Sequence, residues 1–87
     1  MFIIGDGMGV ARKIMSVKKV IAQLKRELSR CEKLVFKNKK AFRRYGNQNN
    51  MLEINRWSKE ADKIEDEIRN LQHNLRMLEN EQGEAER

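Results

Sequence analysis

The sequence predicts an all-α fold: an antiparallel two-helix coiled-coil hairpin that dimerises into a helical bundle. Three observations carry this expectation. Apolar residues recur in steps of three and four through two long runs. The runs are out of phase, and the phase breaks at GNQNN (46–50), the only internal cluster of turn formers. Proline is absent, and charged residues form 37% of the 87-residue chain against 39% hydrophobic, a mix suited to amphipathic helices rather than a large globular core.

The first run covers 10–45. Its apolar positions are Val10, Ile14, Val17, Ile21, Leu24, Leu28, Cys31, Val35, Phe42 and Tyr45, and only Asn38 interrupts the series. The second run places Ile54, Trp57, Ala61, Ile64, Ile68, Leu71, Leu75 and Leu78 at the same alternation. Each is a narrow a/d seam of about four heptads. Phe42 and Ile54 would both be a positions, yet their separation is not a multiple of seven, so one continuous helix would lose its seam at the junction.

Gly46 accepts positive φ, and asparagine tolerates it better than most residues, so the chain is expected to turn within 46–53. Folding about a point between Asn49 and Asn50 sets Phe42 against Trp57, Val35 against Ile64, Leu28 against Leu71 and Ile21 against Leu78 as the structural core. Cys31 then faces Ile68, and Asn38 faces Ala61, where a small residue leaves room for a polar side chain. A seam asparagine fixes register or oligomer state at some cost in stability. Helices of about 33 and 29 residues would each span roughly 45–50 Å. The expected organisation is an apolar, glycine-rich arm (1–9), the hairpin (10–82) and a polar tail (83–87).

A single seam is a thin core. Val20, Leu34 and Ala41 widen the apolar stripe of the first run, with Phe36 nearby. The expectation is that Val20, Leu34 and Phe36 form a partner-binding flank, used most simply by a second copy of the chain. The ordinary alternative is that they merely border the seam.

The net charge of +6 conceals two unlike halves. Residues 1–45 hold 13 lysines and arginines against 3 acids, a net of +10; residues 46–87 hold 6 against 10, a net of −4. Arg12, Lys19, Arg26, Lys33 and Lys40 recur every seven residues opposite the seam, and Arg43 and Arg44 add to a dense basic patch beside the turn. Such a face is commonly a solvated coiled-coil surface. It also suits an acidic protein, or a nucleic-acid backbone contacted with little sequence specificity.

Other features point away from enzymes. The segment IIGDGMG at 3–9 resembles the metal-ligand strand end of alkaline phosphatases, where the aspartate binds a metal. The likeness covers seven residues; an 87-residue chain with one histidine has no room for that family's nucleophile domain, so no residue role follows from it. A flexible arm, or an apolar plug that packs on a partner, is the simpler reading of this segment. His73 lies on an outer face without a ligand cluster. Cys31 is a small hydrophobe in the seam rather than an activated thiol. The acids Glu60, Asp62, Glu65, Asp66 and Glu67 form a solubilising flank, and Trp57 caps the core near the turn.

No catalytic residue, metal, cofactor or small-molecule substrate is therefore expected. One cysteine cannot form an intrachain disulfide, and Met1-Phe2-Ile3-Ile4 is too short for a signal core or a membrane span, which makes the cytoplasm the expected location. The expected role is a small non-enzymatic coiled-coil protein that binds another protein as adaptor, inhibitor or assembly component. The alternative is a basic helical dimer that binds nucleic acid.

Overall fold

The computed structural model describes the backbone of residues 2–86 and the side chains of residues 9–83. Helix α1 runs from Phe2 to Tyr45 and helix α2 from Gln48 to Glu86, and they pack against each other along their length as a helical hairpin. The molecule is a rod of 66 × 14 × 14 Å. Its radius of gyration is 19.4 Å, against about 12 Å for a compact domain of this length. The rod has a seam where a globule would have an interior.

Both helices are longer than the seam pattern predicts, at 44 and 39 residues. Without proline, no position removes an amide donor or blocks propagation, so the helices continue past the last seam residues. The side chains up to Met8 and beyond Gly83 lie outside the described residues, and with them the suggested plug and polar tail.

The connection narrows to Gly46 and Asn47. Gly46 has φ of 65°, and its N–H donates to the Phe42 carbonyl at 2.7 Å. This left-handed cap satisfies one of the orphan carbonyls that end α1. Asn47 then starts α2: its side-chain oxygen accepts from the Asn49 amide at 2.9 Å, the geometry of an N-cap. Two consecutive caps reverse the chain, so Gln48, Asn49 and Asn50 enter the first turn of α2 instead of forming a loop.

That tight turn corrects the expected register. Phe42 lines one cavity with Ile54, Val35 another with Ala61, and Val17 a third with Leu78. A connection of two residues, together with a hydrogen bond between Asn38 and Asn50, shifts α2 along α1 from the expected register. The seam survives, because a slip of three or four residues replaces each seam residue by the next one. The polar position finds a different solution as well. Asn38 donates to the Leu34 carbonyl at 2.8 Å and accepts from the Asn50 side-chain amide at 3.0 Å, so its cross-helix partner is Asn50 rather than space beside Ala61.

Ile14, Ile21, Cys31, Ala61, Ile64 and Ile68 are buried. Val17, Leu24, Leu28, Trp57, Leu71 and Leu75 pack against this set, while Val35, Phe42 and Leu78 are half-buried. Among the described residues no side chain is completely sealed from solvent.

Candidate functional site

The apolar flank expected from sequence divides in two. Successive helical residues are rotated by about 100°, which puts Leu34 and Phe36 on opposite sides of α1. Val20, 44% exposed, shares the Leu34 side with Ala41. There the rod carries a groove of about 500 Å³ whose apolar wall is Val17, Met77 and Leu78. Phe36, 70% exposed, borders a smaller groove of about 290 Å³ on the other side, with Val35, Ser58 and Ala61. Val20, Leu34 and Phe36 therefore cannot serve one partner helix together. The sequence already contained this fact, since two positions apart is nearly the opposite face of a helix.

The turn end adds exposed apolar surface. Tyr45 is 72% exposed, and near the start of α2 Leu52 is 65% and Met51 40% exposed. Trp57 is placed differently. Its ring packs on the core, its indole N–H donates to Glu53 at 2.8 Å, and the Arg56 guanidinium lies 5.1 Å from the ring centroid. A half-buried indole needs an acceptor for its polar edge, and Glu53 supplies one from the preceding turn. The tryptophan is thus a satisfied core residue rather than an exposed binding anchor.

Arg12, Lys19, Arg26, Lys33, Lys40, Arg43 and Arg44 are all exposed. Lys37, a member of the dense basic patch beside the turn, and Arg30 are also exposed on this outer face. With them, Arg26, Arg30, Lys33, Lys37, Lys40 and Arg44 follow one another in steps of three and four, the spacing of the apolar seam but on the opposite side of α1. Counting only every seventh residue misses Arg30, whereas a three-and-four pattern among cations finds it.

The ridge is not neutralised by α2. Among the described residues the ion pairs are Arg56–Glu53 at 4.0 Å and Arg69–Asp66 at 3.2 Å, both within α2. Among the described residues the basic and the acidic helix therefore form no direct ion pair across the seam. On one flank of the seam α1 presents Val20, Leu34 and Ala41, and on the other α2 presents Ser58, so several positions suited to cross-helix pairs hold no charge.

Cys31 sits in the core at 4% exposure. Burial pushes its thiol pKa up, and the carboxylates of Glu60 and Glu27 push in the same direction. The neutral thiol is favoured, the opposite of what a nucleophile or metal ligand requires. Among the described residues no group of three or more His, Cys, Asp or Glu side chains could hold a metal ion. No described helix is long and apolar enough to cross a membrane.

No protein-family model, curated protein or solved structure matches this chain. Its functional reading rests on its surfaces alone.

Proposed function

We propose that this chain is a non-enzymatic helix-face binding module that associates with further helices, most simply with a second copy of itself, to complete a four-helix bundle. The observation that carries this reading is the mismatch between a thin interior and a rich apolar surface. Six described apolar side chains are buried and none is fully sealed, while Met15, Val20, Phe36, Leu52 and Met77 remain 44–70% exposed. A two-helix seam leaves each helix with an uncovered flank, and a second hairpin covers it by the same knobs-into-holes packing.

The flank that contains Val20, Leu34 and the Val17–Met77–Leu78 groove is the better docking face, because these residues extend along one side of the rod. Sedimentation velocity at tens of micromolar tests the proposal. A dimer has twice the 10.3 kDa chain mass. Val20→Glu/Leu34→Glu should return it to the monomer mass while Phe36→Ala does not. A wild-type monomer at that concentration counts against self-association.

A further inference from the structure

We propose that the outer ridge of α1, from Arg26 to Arg44, is a docking surface for the phosphate backbone of double-stranded nucleic acid. Arg26, Arg30, Lys33, Lys37, Lys40 and Arg44 are all exposed and stand in line along one helix face. At 1.5 Å per residue they cover about 27 Å, with a cation about every 5 Å. No residue of another type interrupts the line at its three-and-four spacing. The described carboxylates of α1, Glu27 and Glu32, sit on the flanks of its seam, and no ion pair among the described residues involves α1.

This chemistry fits a polyphosphate better than a protein surface. A duplex offers about one negative charge per 1.7 Å of axis, continuously and in line. Protein interfaces instead centre on aromatic, apolar and arginine anchors and are depleted in lysine; half of this ridge is lysine, and it carries no aromatic or apolar anchor. The acidic helix of a second copy is also a poor match, since Lys59, Lys63, Arg69 and Arg76 interleave with its outer acids. With no asparagine, glutamine or aromatic residue on the ridge, the contact tracks backbone and is insensitive to base sequence. The site is independent of the Val20–Leu34 flank, which lies nearer the seam.

The test is fluorescence-anisotropy binding of the full chain to mixed-sequence 20-base-pair DNA and RNA duplexes, with poly-glutamate of similar charge as the comparison polyanion. Duplex affinity should fall about 10³-fold between 50 and 200 mM salt, as about six neutralised phosphates require. Poly-glutamate should bind more weakly than either duplex. Arg30→Glu/Lys37→Glu should retain wild-type helicity by circular dichroism and make the log–log salt slope shallower by about 2. The milder Arg30→Gln/Lys37→Gln should change the slope in the same direction, and Lys59→Glu/Lys63→Glu on α2 should leave it unchanged. Absence of duplex binding at 50 mM salt overturns the proposal. So does poly-glutamate binding as tight as duplex binding, or a salt slope that the ridge variants leave untouched.

Discussion

The two faces of α1 use the same spacing for opposite chemistry. On the inner face, Ile14, Val17, Ile21, Leu24, Leu28 and Cys31 step by three and four residues and are buried or half-buried against α2. On the outer face, Arg26, Arg30, Lys33, Lys37, Lys40 and Arg44 make steps of the same size and are covered by nothing among the described residues. One periodicity thus specifies both the fold and a surface with no role in the fold. The inner face is covered within the hairpin, whereas nothing among the described residues of the chain complements the outer face.

If this contrast holds, seam and ridge substitutions should have effects of very different size on stability. Ile64→Ala, among the most buried residues of the seam, should cost about 2–5 kcal/mol by chemical denaturation. A loss below about 1 kcal/mol would mean that the seam is not the source of stability. Ridge reversals at Arg30 and Lys37 should change stability by no more than about 0.5 kcal/mol, the range of exposed surface substitutions.

The next effects sharpen the contrast at the turn. Gly46→Ala forces a Cβ into the left-handed region and should cost about 1–2 kcal/mol. Nothing lies within 4 Å of that Cβ, so the cost comes from the backbone rather than a clash. Asn47→Ala removes the α2 cap and should cost about 1 kcal/mol. If thermal melts show neither loss, the two-cap turn is not what reverses the chain.

Asn38→Ala should cost about 1 kcal/mol, because it leaves the half-buried Asn50 amide without its cross-helix acceptor. Asn38→Leu/Asn50→Leu should recover that loss while relaxing the register, which cysteine cross-linking across the seam would reveal.

The smallest effect is a pH dependence within the seam. The Cys31 thiol has its pKa raised above the ordinary value of 9.0 by burial. The unfolded chain therefore releases that proton first, and the neutral thiol's contribution to stability fades as pH rises above about 9. The stability gap between wild type and Cys31→Ala should narrow across that range. A constant gap would show that the thiol is not held neutral by the seam.

The all-α hairpin was legible in the sequence because the apolar steps and their phase break at GNQNN are strong local signals. The register was not. Seam pattern alone is nearly unchanged by a one-turn slip, so loop length decides it. That length depends on Gly46 and Asn47 acting as consecutive caps, a detail of backbone geometry. The basic face was legible at Arg12, Lys19, Arg26, Lys33 and Lys40 and, beside the turn, at Lys37, whereas Arg30 emerged with the intermediate helical steps. The grouping of Leu34 with Phe36 followed closeness in sequence and failed on rotation about the helix axis. The absence of cross-seam ion pairs among the described residues was not legible either, because net charge per helix does not say which side chains meet.

The most direct test of the separation between these faces takes Arg30→Glu/Lys37→Glu through both readouts in parallel. A thermal melt within a few degrees of wild type, together with weaker duplex binding whose log–log salt slope is shallower by about 2, is the predicted result. A collapsed melt would show that the outer face also holds the fold, and wild-type binding by a folded variant would show that the ridge is not the docking surface.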